Sequence, residues 1–88
     1  MIGNRQEDKV TTISFTFRNT QQDQTIQVLD RIDTTKNPIF SGPLNNGQTS
    51  DPIQCWADTD GHGNVLVQGD ASAGMERTID RDGYTFDY

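Results

Sequence analysis

Apolar and polar residues alternate along short segments of this chain, and turn residues separate those segments. Alternation with a period of two, bounded by Gly, Asn, Asp and Pro, is typical of strands in antiparallel sheets. No stretch places apolar residues at the i, i+3, i+4, i+7 spacing of a helix. The pattern predicts six or seven short strands: Val10 to Arg18, Thr25 to Asp33, Pro38 to Ser41, Pro52 to Asp58, Asn64 to Gly69, Met75 to Asp80 and Tyr84 to Tyr88.

Strands at this spacing are typical of small sandwiches and barrels. We therefore predict an all-β fold, a small antiparallel β-sandwich over residues 9–88. We predict that a flexible polar arm over residues 1–8 precedes it. The succession of short strands and Asn/Gly/Asp turns resembles immunoglobulin-like and jelly-roll sandwiches, a resemblance that implies a fold and carries no function.

The first two long strands predict a hairpin closed by the polar turn at residues 19–24. In that register Phe17 faces Ile26, and such cross-strand pairs stabilise a sheet. The same register places Asp30 opposite Ile13, which is a poor match. It therefore predicts either a bulge near Leu29 or the departure of the strand from the sheet at that point.

A second predicted hairpin supplies the candidate binding surface. Its register turns Cys55 inward and leaves Trp56 beside Leu66 on the outer face, with Gln54 and Gln68 on either side. An exposed Trp beside a Leu on a flat polar sheet is typical of a protein interface or a sugar-stacking platform. The alternative is that a strand, a loop or the arm covers the pair, which then forms a second small core.

The tip of this hairpin partly matches a calcium loop of the EF-hand type. Asp58, Asp60 and Asn64 are its candidate oxygen ligands. His62 stands where such loops have an oxygen ligand, and Gly69 stands where a bidentate Glu would close the site. The alternative is a plain tight turn, because Asp and Gly are also the usual turn residues.

A third predicted hairpin joins the last two strands and places Glu76 opposite Asp87. Like charges that face each other across a ladder are destabilising. The alternatives are relief by Arg77 or Arg81, relief by a cation, or a different register. This register also places Arg77 against Phe86.

Composition narrows the function classes. The 88 residues carry a net charge of −6, from thirteen acidic and seven basic side chains. Such a chain lacks the clustered Lys and Arg that nucleic acid or anionic lipid requires. Only 31% of its residues are hydrophobic, so the core is thin and association with a partner would help it.

Catalysis is poorly supported, and we predict that the protein is not an enzyme. His62 and Cys55 are the only residues of their types, too few for a zinc site. No serine has the context of a triad or a nucleophile elbow, and no phosphate-binding glycine motif occurs. The sequence shows neither a signal peptide nor a membrane span, which predicts a cytoplasmic protein, or an extracellular one if this is a mature or non-classically exported form.

These observations predict a non-enzymatic β-sandwich module that self-associates or binds a protein partner, as a structural or assembly subunit. One alternative is a carbohydrate-binding module that uses Trp56 as a platform, with Ca²⁺ as its only candidate cofactor. The other is an acidic inhibitor that occupies a groove on a basic protein.

Overall fold

The computed structural model describes residues 11–33 and 37–88, which form strands, turns and loops. The seven strands are β1 (Thr11–Arg18), β2 (Gln24–Asp30), β3 (Phe40–Leu44), β4 (Ile53–Ala57), β5 (Gly63–Gly69), β6 (Met75–Ile79) and β7 (Tyr84–Asp87). Sheet A has the order β4-β1-β7 and sheet B the order β3-β2-β5-β6. The prediction of a small all-β sandwich is confirmed. The predicted arm at residues 1–8 lies outside the described ranges, and those ranges contain no helix that could cross a membrane.

One hydrophobic core fills the space between the two sheets. Alternate residues of nearly every strand are buried in it, as the period of two requires. Its centre is aromatic: the ring of Phe17 lies 5.7 Å from that of Phe86 and meets Phe40 edge-on at 5.6 Å, while Phe15 stacks on Phe86 at 5.9 Å. Such ring pairs add to the free energy gained from burial alone.

None of the three predicted hairpins forms. β1 pairs with β4 and β7, whereas β2 pairs with β3 and β5. The chain therefore crosses from one sheet to the other after β1, β4 and β6, at each turn that the sequence assigned to a hairpin. Alternation defines which side chains face inward, and that set is the same whether a turn joins neighbours in one sheet or strands in opposite sheets.

The last strand pairs with the first in parallel, which differs from the purely antiparallel sandwich that the sequence predicted. Phe15 is in register with Tyr84, and Phe17 with Phe86. Parallel pairing requires a crossover connection. Here the connection includes β4 of sheet A and the four strands of sheet B, from which the chain returns after β6 in the same direction as β1.

The inward-facing Asp30 is explained by the backbone groups that it binds. Asp30 lies opposite Val65 of β5 without a bulge before it, and β2 ends at Asp30. The side chain is buried, and its Oδ1 accepts hydrogen bonds from the amides of Ile32 and Asp33 at 2.9 and 3.1 Å. Oδ2 accepts from the amide of Trp56 at 2.9 Å. The carboxylate thus ends β2 and links it to sheet A.

Arg77 is the other charged residue at an inward position. Its guanidinium lies 5.5 Å from the centre of the Phe86 ring, across the two sheets, in a cation–π contact. Nη2 donates a long hydrogen bond of 3.4 Å to the carbonyl oxygen of Asp87, while Nε is buried without an acceptor. The predicted contact between Arg77 and Phe86 therefore exists, although the predicted hairpin does not.

Candidate functional site

The four predicted binding residues fall on opposite sides of the sandwich. Trp56 and Gln54 belong to β4 and lie on the outer face of sheet A. Leu66 and Gln68 belong to β5 and lie on the outer face of sheet B. The prediction that Trp56 and Leu66 share one surface is therefore wrong, because β4 and β5 are joined across the core and not within a sheet.

On sheet A, Trp56 has polar neighbours. It is half-buried and lies opposite Thr12 of β1, and Gln54 lies opposite Ser14. The amide and hydroxyl of Ser14 both donate to one oxygen of Asp82, at 2.8 and 3.0 Å. Those two bonds hold the pKa of the Asp82 carboxyl below its usual value. This face combines an indole with hydroxyl and amide groups.

On sheet B, Leu66 has an apolar partner. It lies opposite Leu29 of β2, and both side chains are half-buried. On its other side it lies opposite Glu76 of β6, whose carboxylate is 3.9 Å from the guanidinium of Arg31. The two leucines therefore form a narrow apolar strip with charged side chains at its margin.

Two of the three residues predicted to bind calcium, Asp58 and Asp60, lie in a tight turn between β4 and β5. Oδ1 of Asp58 accepts hydrogen bonds from the amides of Asp60 and His62 at 2.9 and 3.0 Å. Asn64 stands apart from this turn, on β5. Within residues 11–33 and 37–88 no three His, Cys, Asp or Glu side chains are grouped for a metal ion. Calcium binding stays a prediction, tested by the melting temperature in calcium against that in chelator.

The carboxylates near the C-terminal strands are dispersed. Glu76 lies beside Arg31, and Asp87 lies 3.2 Å from the guanidinium of Arg18 on the neighbouring strand. The predicted opposition of Glu76 and Asp87 is therefore wrong. β6 and β7 belong to different sheets, so the like charges never share a ladder.

Cys55 is buried in the core, as the sequence predicted. Burial raises the pKa of its thiol to about 12, and the negative charge of Asp30 adds to the rise. The thiolate is the reactive form of cysteine, so this side chain is a small apolar group at neutral pH.

The turn between β5 and β6, residues 69–74, rests on two buried polar side chains that sequence reasoning did not single out. The hydroxyl of Tyr88 accepts from the amide of Gly69 at 2.8 Å and donates to the carbonyl oxygen of Ala73 at 2.8 Å. Oε1 of Gln24 accepts from the amide of Ala71 and the hydroxyl of Ser72, both at 3.0 Å. No sequence signal marks these roles, because both residues are remote in sequence from the turn.

Each sheet has two edge strands, and three of the four carry a feature that opposes pairing with another chain. β3 contains Pro43, which has no amide hydrogen. On β4, the amide of Trp56 is already bound by Asp30. On β6, Arg77 is a charged residue that points inward. Proline and inward-pointing charges are the usual protections of natural sheet edges.

β7 is the fourth edge, and its middle residue has open backbone groups. Tyr88 donates its amide to Arg18 and accepts at its carbonyl from Thr20, at 2.8 and 2.9 Å, so its main chain faces β1. Because backbone groups alternate along a strand, those of Thr85 and Asp87 face the free edge. Arg77 binds the carbonyl of Asp87. The amide and carbonyl of Thr85 have no partner in the described part of the chain.

Comparisons with known proteins found no matching family, no similar curated protein and no similar solved structure.

Proposed function

We propose that this protein is a non-enzymatic β-sandwich module that self-associates by adding β7 of one copy to β7 of a second. The observation that carries the proposal is the open amide and carbonyl of Thr85, in the middle of an edge strand that has neither a proline nor an inward-pointing charge. Each of the other three edges carries a proline, an inward-pointing charge or a bound amide that opposes pairing. Strand addition at an open edge is a common mode of protein recognition, because main-chain hydrogen bonds supply the affinity.

An antiparallel pair of β7 strands around a two-fold axis has a favourable register. With Thr85 opposite Thr85 of the second copy, the two residues exchange two backbone hydrogen bonds. Tyr84 then lies opposite the second Phe86, and the symmetry repeats this aromatic pair. Cross-strand aromatic pairs and pairs of threonines each contribute roughly 0.2–1 kcal/mol. The two three-stranded sheets would become one six-stranded sheet.

The charges along β7 are compatible with this register. Asp87 would face Gly83 of the second copy, so no two carboxylates oppose each other. Arg18 already lies beside Asp87 and offsets its charge. The net charge of −6 opposes association at long range, but physiological salt screens charges that are more than about 8 Å apart.

The test is the solution molar mass, by light scattering after size exclusion and by ultracentrifugation over a range of concentrations. We expect a concentration-dependent mass that approaches twice 9.8 kDa. Thr85→Pro removes the amide that faces the edge and should return the mass to that of a monomer. A single monomeric mass at all concentrations of the unmodified chain would overturn the proposal.

Gln54→Pro is the matched control. The amide of Trp56 faces the free edge of β4, and by alternation the amide of Gln54 does too. Proline there should leave the dimer intact. If Thr85→Pro does not fold, Thr85→Lys gives a second test, because it places two like charges opposite each other at the axis. A folded Thr85→Lys chain that still dimerises, or a Gln54→Pro chain that dissociates, would exclude β7 as the interface.

The other functions predicted from the sequence stay predictions. A sugar platform at Trp56 and Gln54 predicts binding that Trp56→Ala abolishes. An acidic inhibitor of a basic protein predicts a complex that weakens strongly between low and physiological ionic strength.

A further inference from the structure

An open cavity of about 460 Å³ lies on the outer face of sheet B, beside the turn at residues 69–74. Polar side chains and glycines line it: Thr25, Gln27, Gln68, Gly69, Asp70, Ser72 and Gly74. Its volume falls within the range of roughly 300–1,000 Å³ that is usual for small-molecule sites. No residue of β7 lines it, and neither Trp56 nor Gln54 does.

The floor of this cavity carries polar groups that the protein does not use. Gln27 of β2 and Gln68 of β5 are opposite each other in the ladder, and both are exposed. In residues 11–33 and 37–88 neither amide side chain has a hydrogen-bond partner. Each amide offers two donors and one acceptor oxygen. The hydroxyl of Thr25 is also uncommitted, and Asp70 uses only Oδ1, which accepts from the amide of Thr25 at 3.2 Å.

The wall of the cavity is held in place from beneath. Tyr88 and Gln24 bind the backbone of the turn, and the two residues are 4% and 7% exposed. A Cβ at Gly69 would collide with the side-chain amide of Gln24 and the hydroxyl of Ser72, so glycine at this position leaves room for the two groups that bond to each other beneath the turn. A ligand would therefore meet a preformed surface, which lowers the entropy lost on binding.

We propose that this cavity binds an uncharged, hydroxyl-rich ligand, a neutral saccharide. The unused amides of Gln27 and Gln68, together with Thr25 and Asp70, supply donors and acceptors side by side, which is what adjacent sugar hydroxyls require. No lysine, arginine or histidine lines the cavity, so an anionic ligand would have no counter-charge. No aromatic or aliphatic side chain lines it either, so the lining offers an apolar ligand no ring or branched side chain to pack against.

The test applies the full chain to an array of neutral and acidic glycans, and titrates the strongest neutral binder by calorimetry. We expect binding to neutral glycans, and a loss of roughly tenfold or more in affinity in the double variant Gln27→Ala, Gln68→Ala, which removes two hydrogen-bonding groups. In the unmodified protein, the same glycan should shift the side-chain amide signals of Gln27 and Gln68 in NMR spectra. That second measurement tests the proposal even if the double variant does not fold.

Gln54→Ala and Trp56→Ala are the controls, because both residues lie on the other face of the sandwich. They should leave the affinity unchanged, as should Thr85→Pro, which tests self-association separately. An array without a bound neutral glycan would overturn the proposal. So would a preference for acidic glycans, binding that survives the loss of both glutamines, or binding that Trp56→Ala abolishes.

Discussion

Strand β5 begins after one turn and ends in another, and different kinds of side chain hold the two turns. Residues 69–74, at its end, rest on the buried hydroxyl of Tyr88 and the buried amide of Gln24. Residues 58–62, at its start, are held by Asp58, whose carboxylate binds amides within its own loop. The 69–74 turn depends on residues distant in sequence, whereas the 58–62 turn depends on one of its own residues.

The difference separates two sources of local order. The bonds beneath the 69–74 turn are partly shielded from water, so a group that loses its partner there is solvated less readily than one in an exposed loop, and the loss costs more. An exposed carboxylate that loses its bonds is solvated at once. Substitutions in the 58–62 turn should therefore lower the free energy of unfolding only slightly. The loss of a single hydrogen-bonding atom beneath the 69–74 turn should lower it more.

The largest effect should come from Tyr88→Phe. This change removes one oxygen and leaves the amide of Gly69 and the carbonyl of Ala73 without their partner. We expect a loss of about 2 kcal/mol in the free energy of unfolding, measured by urea denaturation. Tyr84→Phe is the matched control, because the Tyr84 hydroxyl has no hydrogen-bond partner in the described residues. An equal loss in both variants would contradict the assigned role.

A smaller effect should come from Gly61→Ala in the exposed turn. Gly61 has a φ of +82°, a left-handed conformation that costs an alanine about 1 kcal/mol. Open space surrounds the position, so no collision adds to that cost. Gly42→Ala is the control, since a Cβ there makes only an ordinary contact, 4.0 Å from the Phe40 ring, with no positive φ. Urea denaturation of both variants should separate them, and equal stabilities would argue against backbone strain.

The smallest effect should be the acid sensitivity of the same turn. The amide of His62, assisted by that of Asp60, holds the pKa of Asp58 below its usual 3.8. A carboxyl whose pKa is lower in the folded state stabilises the fold above its unfolded pKa. This contribution is lost as pH falls from about 4 through the folded pKa. In Asp58→Asn that part of the acid dependence should be absent.

The measurement is the free energy of unfolding from pH 5 to pH 2, together with the NMR shift of the His62 amide in the native protein. Asp82 also contributes to the acid dependence, because the hydrogen bonds from the amide and hydroxyl of Ser14 lower its pKa too. Asp82→Asn therefore serves as the comparison, and should leave the His62 amide titration unchanged. If the NMR shift of the His62 amide keeps its pH dependence in Asp58→Asn, another carboxyl controls the turn.

The sequence predicted the inward-facing residues well and their neighbours poorly. Phe15, Phe17, Val28 and Val65 are buried as the alternation indicated. Alternation is a local property of each strand, so it survives any topology. Which strands pair depends on how the two sheets close over the core. A polar turn such as residues 19–24 can join two strands of one sheet or two strands in opposite sheets.

The candidate sites follow the same division. Trp56 and Gln54 could be placed on one face because they are two residues apart on one strand. The pairing of Gln27 with Gln68 could not be predicted, since it exists only because β2 and β5 are neighbours in sheet B. Asp30 and Arg77 looked misplaced in the sequence because their partners, Trp56 and Phe86, belong to the opposite sheet.

The parallel pairing of β1 and β7 has a mechanical consequence. A pull on Thr11 and Asp87 would act along both strands in opposite directions, so the hydrogen bonds between them would be loaded in shear and would have to break together. The β5–β6 hairpin, pulled at the paired residues Gly63 and Ile79, would instead unzip one bond at a time. Tension along the chain would therefore meet its main resistance in the three-stranded sheet, between the first and last strands of the sandwich.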